Sequence, residues 1–130
     1  MTDPTRAGRE RRRHPRVAVD TPIRLSTLDP ETDPWTGRPF FRACEERSAN
    51  LSRGGVLVQT REPLAPGRRV LIEMTLPDVG AFEAIARVAW TRQRAGDAFG
   101  LGFEFLGGAP DHRARLERFL VARSATPPTA

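Results

Sequence analysis

Apolar and polar side chains alternate along this chain in short runs, with turn-forming residues between them. The alternation is clearest over residues 69–76, where Val70, Ile72, Met74 and Leu76 share one face. Residues 82–92 alternate again, with Phe82, Ala84, Ala86, Val88 and Trp90 on one side. Within residues 98–106, Leu101, Phe103 and Phe105 fall on one side and Gly100 and Gly102 on the other. Glycines at strand positions imply close approach of another backbone or a barrel bend. Residues 17–25 read as a strand interrupted near Thr21-Pro22, where proline marks an edge or a bulge. Residues 40–49 and 56–60 read as two further strands, and residues 50–55, 62–67, 77–80 and 94–97 supply the reversals. The period then changes. Pro110 and Asp111 open a helix whose apolar stripe is Leu116, Phe119 and Leu120, with Arg113, Arg115, Arg118 and Arg123 off the stripe. Short strands at near-regular spacing followed by one helix predict an all-β, antiparallel barrel or sandwich, with the helix as a lid over its open end.

One stretch breaks the rhythm. Residues 26–39 are rich in Pro, Asp, Thr and Gly and read as a long loop. Trp35 within it is expected to fold back onto the body, the usual fate of a large aromatic. The competing reading makes it a contact for a partner.

Length and composition narrow the class. A chain of 130 residues fits one domain. Apolar residues make up 38% and charged residues 28%, so the chain is expected to fold. Residues 1–10 show no apolar period and are expected to be a mobile arm. Residues 11–123 form the domain, and residues 124–130 fray. The net charge is +5, and every basic side chain is arginine. Arginine offers a planar fork suited to phosphates and guanine edges, which lysine lacks. A single cysteine, Cys44, forbids an internal disulfide and fits a reducing compartment. No run approaches the roughly 20 apolar residues that span a bilayer, and no signal-peptide segment follows the first arginines. These features predict a cytoplasmic protein without membrane insertion.

Two motifs carry candidate chemistry. Arg11-Arg12-Arg13-His14-Pro15-Arg16 runs straight into the first apolar segment, so its last residues are expected to be anchored on the fold. Arg12 and Arg16 are spaced to reach around one small anionic ligand. The second motif is Asn50-x-Ser52-x-x-Gly55. Asn50 both donates and accepts, Ser52 offers a hydroxyl, and Gly54 and Gly55 allow a tight turn close to a ligand. Taken alone, that turn is also what an ordinary hairpin uses.

Together, Arg-x-x-x-Arg before the first strand and Asn-x-Ser-x-x-Gly before the third resemble the PilZ domain family, small bacterial receptors for cyclic di-GMP. The resemblance runs from Arg11 to the end of the helix and takes in Gly100-Leu101-Gly102-Phe103-Glu104-Phe105 as a late strand. It implies a six-stranded antiparallel Greek-key barrel with a C-terminal helix. It places the ligand-binding residues at Arg11, Arg12, Arg16, Asn50, Ser52 and Gly55. Arg13, Arg53 and Gly54 are secondary, and His14 is a spacer. By the same resemblance, Arg11 ahead of the run implies a stacked pair of ligands, two molecules per chain. The segment between the motifs, around Asp29 to Pro39, is longer than the family's usual one.

The resemblance implies a cyclic di-GMP receptor or adaptor that acts on a downstream protein partner. Ligand would order the arginine-rich arm against the barrel and change the exposed surface. Two alternatives stand beside it. One is a ligand-independent PilZ-like interaction module. The other is a small nucleic-acid-binding barrel, disfavoured by few exposed aromatics and by acids interleaved after residue 16. No catalytic residue, cofactor or metal site is expected. His14 and His112 lack supporting motifs, and no nucleophile stands with a base.

Overall fold

A computed structural model describes residues 16–125, with side chains to Arg123. Arg11, Arg12, Arg13 and His14, together with the predicted arm and most of the predicted frayed tail, lie outside the described residues. The elements in chain order are β1 (Val17–Ala18), β2 (Pro22–Thr27), β3 (Glu31–Thr32), β4 (Pro39–Phe40), β5 (Ala43–Leu51), β6 (Gly55–Thr60), β7 (Arg69–Leu76), β8 (Gly80–Gln93), β9 (Phe99–Gly107) and α1 (Pro110–Ala125).

Strands β5, β2, β7, β8, β9 and β6 pair antiparallel in that order, and β6 returns to β5. The sheet therefore closes into the expected six-stranded barrel, and closure removes the exposed edges that invite aggregation. Alternation sends one face inward. Ile23, Leu25, Val58, Val70, Ile72, Leu76, Phe82, Val88 and Leu101 are essentially sealed. Phe105 is half-buried and meets Phe82 edge-on at 5.4 Å between centroids.

The interrupted first strand is real. β1 pairs with Leu51 and Asn50, and β2 pairs further back along β5. Between them the backbone is tied down by buried Ser48. Its hydroxyl donates to the Val19 carbonyl at 2.8 Å and accepts from the Thr21 N–H at 3.3 Å. Pro22 opens β2, a position where its missing N–H removes no interior ladder bond.

Three readings of the sequence are corrected. First, residues 26–39 are not a plain loop. Thr27 is the end of β2, and β3 and β4 pair as a small hairpin with Glu31 opposite Phe40. Second, β5 runs on through Asn50 and Leu51, so Asn50 is a strand residue and not part of the turn. Third, Trp90 does not share the face of Val88. Register slips between them, with Val88 opposite Phe103 and Trp90 opposite Gly102. The extra residue, Ala89, is a bulge, and a bulge reverses the facing of everything beyond it.

Helix α1 packs against β8 and β1 through buried Leu116, Phe119 and Leu120. Polar ties fix its position. His112 Nδ1 accepts from the Glu83 N–H at 2.9 Å, and Arg115 donates to the Ala81 carbonyl at 2.9 Å. His112 is thus a tether between helix and barrel. Among the described residues no helix is long and apolar enough to cross a membrane.

Candidate functional site

The β1–β5 register decides where the two motifs meet. Val17 pairs with Leu51 and Ala18 with Asn50, so Arg16, directly before Val17, stands beside the turn that follows Leu51. Arg16 consequently reaches Asn50, and its Nη1 donates to Asn50 Oδ1 at 3.1 Å. The turn that follows is built by Ser52. Its N–H donates to the Gly55 carbonyl at 2.9 Å, and its hydroxyl accepts from the Gly54 N–H at 3.3 Å. A serine closing its own turn in this way is a common local device. Ser52 is buried, while Asn50 is half-exposed.

Beside this turn lies an open recess of about 200 Å³. Arg16, Ser52, Gly55, Trp90, Gly102 and Glu104 line it. The structure thus gathers Arg16 with Ser52, Gly54 and Gly55, and brings Asn50 to Arg16. It does not bring Arg53 there. Arg53 points to the helix and pairs with Glu117 at 2.7 Å.

Gly55 has a different reason to be glycine than the sequence implied. Open space for a ligand was expected. A Cβ at residue 55 would stand 1.9 Å from the Phe103 carbonyl oxygen. The side chain is missing because β9's backbone crosses there.

Sequence reasoning missed Trp90. A Cβ at Gly102 would lie 2.2 Å from the Trp90 indole, so the ring rests directly on that glycine. Gly100 is covered in the same way by Arg94 and the edge of Trp90. The close approach foretold by these two glycines comes from side chains and not from a neighbouring backbone. The available signal was Gly-x-Gly in one strand with a tryptophan in the strand before it. The bulge that aligns them leaves no mark in the alternation.

The recess is electrostatically asymmetric. Glu104 is answered by Arg87 at 3.1 Å. Among the described residues Arg16 has no carboxylate partner, only Asn50. The Arg92 guanidinium sits over the Trp90 ring at 4.9 Å, a cation–π geometry. A guanidinium held only by an amide oxygen among the described residues, beside a guanidinium-capped indole, suits an anionic ligand with flat rings. No group of His, Cys, Asp and Glu able to hold a metal occurs among the described residues.

The sequence matches the PilZ domain model over residues 10–122, which spans both motifs, the barrel and nearly all of the helix. This chain belongs to the PilZ domain family. Solved PilZ structures share the fold. One is the PilZ domain of YcgR from Escherichia coli with c-di-GMP, at 23% identity and a TM-score of 0.62, covering 88% of this chain and 92% of that one. Another is the PilZ domain of CeSA from a cellulose-synthesizing bacterium, at 20% identity and a TM-score of 0.55, covering 83% and 96%. The inhibitor of motility MotI/DgrA from Bacillus subtilis matches at 18% identity and a TM-score of 0.65, over 90% of this chain. This chain spans only 53% of that protein. None of the curated proteins compared matches the sequence.

The PilZ recess makes one prediction at once. Gly102→Ala should push the indole off its seat and leave the barrel standing, because a surface ring can swing away. The intrinsic fluorescence should change, and the far-UV circular dichroism should stay the same. An unchanged emission spectrum would refute the close packing of Trp90 on Gly102.

Proposed function

We propose that this chain is a cyclic di-GMP receptor, with the recess beside the Ser52–Gly55 turn as the barrel half of the site. The observation that carries the reading is the Arg16–Asn50 hydrogen bond, which joins the two family motifs at the mouth of that recess. Family membership and the c-di-GMP-bound PilZ domain of YcgR support it.

The chemistry follows from the donors available. Cyclic di-GMP offers two phosphates and two guanines. Arg16 can fork onto phosphate oxygens or onto guanine O6 and N7. Asn50 orients that fork through its Oδ1 and leaves its own amide N–H groups for a base edge or a phosphate. The recess, at about 200 Å³, falls below the roughly 300 Å³ at which pockets for whole drug-sized ligands begin. It therefore takes one base, with Trp90 and Arg92 as a stacking wall, and leaves the remaining ligand outside. The outer part is the task of Arg12, with Arg13 alongside. Arg11 would extend the contact to a second, stacked ligand molecule. Ser52 and Gly54 hold the turn, and Gly55 lets β9 approach.

On this reading the leader carrying Arg11 to Arg16 closes over the ligand, and the changed surface is what a downstream protein in the cytoplasm reads. Ligand can shift that balance only by preferring the closed arrangement, so each added charge-assisted bond counts. Isothermal titration of the full chain with cyclic di-GMP should give saturable heat with two ligands per chain. Arg11→Ala should reduce the count to one. Absence of heat at high micromolar ligand would overturn the proposal and leave the ligand-independent reading.

A further inference from the structure

Seven large apolar side chains are exposed among the described residues, and four of them, Leu28, Trp35, Phe40 and Phe41, belong to the segment that carries the β3–β4 hairpin. Trp35 is the extreme case at 93% exposure, against the expectation that it folds back. Clustered exposed aromatics mark interaction surfaces more often than single ones do.

The hairpin is braced as few surface loops are. Asp29 accepts from the Arg69 backbone N–H at 3.0 Å and from its guanidinium at 2.7 Å. These bonds, chiefly the one to the side chain, hold the Asp29 carboxyl below its ordinary range. Glu31 receives both Arg42 and Arg68. At the tip, Asp33 Oδ1 accepts from the Trp35 N–H at 2.7 Å and fixes the turn. Binding through a rigid tip costs little further ordering, and tryptophan and arginine are the residue types that dominate binding hot spots. The hairpin's carboxylates are all answered from within the chain. Among the described residues the Arg38 guanidinium has no hydrogen-bond or ion-pair partner.

A surface of the opposite character lies next to it. A groove of about 740 Å³ runs between the start of β5 and the end of β6, lined in part by Pro22, Cys44, Glu46, Thr60, Glu62 and Ala98. Among the described residues Glu45, Glu46 and Glu62 on its walls have no ion-pair partner, and Glu46 only accepts from the Thr60 hydroxyl at 2.9 Å. Of the two arginines there, Arg47 is committed to Asp20, and Arg61 has no ion-pair partner among the described residues. The Cys44 thiol reports the same negative surroundings: burial, then Glu46 and Glu62, push its pKa up. The hairpin passes directly into β5, whose first residues, Cys44 to Arg47, line the groove. That adjacency is what a two-fold contact requires, since each copy must offer both halves.

We infer that the Trp35–Arg38 tip of one copy seats in the Cys44–Glu46–Glu62 groove of a second copy, in a reciprocal two-fold exchange. An anionic lipid surface fits the tip less well, because Arg38 is one cation where lipid-binding segments gather several.

Sedimentation equilibrium of the full chain without nucleotide, from low to high micromolar, tests this separately from the cyclic di-GMP reading. A concentration-dependent dimer is expected. Trp35→Ala should weaken association about tenfold or more and leave the circular dichroism unchanged, since the ring is exposed. Arg38→Glu should weaken it as well, and Arg38→Glu with Glu62→Arg in the same chain should restore much of it. A monomer throughout the range, or a dimer indifferent to Trp35→Ala, would overturn the inference. So would a tip that leaves the chain monomeric and binds only a different acidic protein.

Discussion

Gly55→Ala is expected to be the most damaging single-methyl substitution in this barrel. The added Cβ would stand 1.9 Å from the Phe103 carbonyl oxygen and 3.0 Å from its carbon, both main-chain atoms. Main chain cannot swing aside as a side chain can. Relief requires β6 and β9 to part, and Gly55 is the first residue of that pairing, opposite Glu104. The same movement would open the Ser52 turn, whose N–H bonds to the Gly55 carbonyl. Overpacking usually costs about 1–3 kcal/mol, and this case belongs at or above the upper end. A barrel of this size should then lose on the order of 10 °C in thermal midpoint. Gly96→Ala is the control. Its φ of 69° is left-handed, but nothing lies within 4 Å of the new methyl, so only about 1–2 kcal/mol of backbone strain is expected. Thermal unfolding of the two variants checks the comparison. If Gly55→Ala melts no lower than Gly96→Ala, the β9 crossing is not what demands glycine at residue 55.

These two glycines also show how far the sequence could be read. Alternation announced β7, most of β8 and β9, because one face of each strand must be buried and the side-chain period of a strand is two. It could not announce the Ala89 bulge, which costs one residue and leaves the composition of the strand unchanged. Alternation therefore puts Trp90 on the face of Val88, when it lies on Gly102 beyond the bulge. The β3–β4 hairpin was hidden for another reason. Its strands are two residues each, and its stability comes from Asp29–Arg69 and Glu31–Arg42, pairs far apart in the chain that no local pattern encodes. Of the candidate site, the meeting of Arg16 with Asn50 follows from β1 running antiparallel to the end of β5, a long-range pairing that periodicity does not encode; the resemblance implied only that both motifs serve one ligand site. Arg53 sits inside the second motif yet turns to Glu117, because a charged side chain on a tight turn takes the nearest opposite charge.

Arg16→Ala should abolish most cyclic di-GMP binding and leave the fold intact. Arg16 is exposed, and its one described hydrogen bond is to Asn50, itself only half-buried. Surface substitutions of this kind shift stability by a few tenths of a kcal/mol, so the thermal midpoint should move by about 2 °C or less. Binding is another matter. A guanidinium that makes two charge-assisted bonds to a phosphate or a guanine edge contributes on the order of 3 kcal/mol, a little over a hundredfold in affinity. Arg16→Lys keeps the charge and loses the planar fork, so it should recover only a minor part. Asn50→Ala should fall between, because it frees Arg16 from its orienting acceptor without removing the cation. Titration calorimetry on the three variants gives the order wild type, then Asn50→Ala, then Arg16→Lys, then Arg16→Ala. Equal affinity for wild type and Arg16→Ala would move the ligand away from this recess. A deficit fully restored by lysine would reduce Arg16 to a source of charge, and the forked contact would fall.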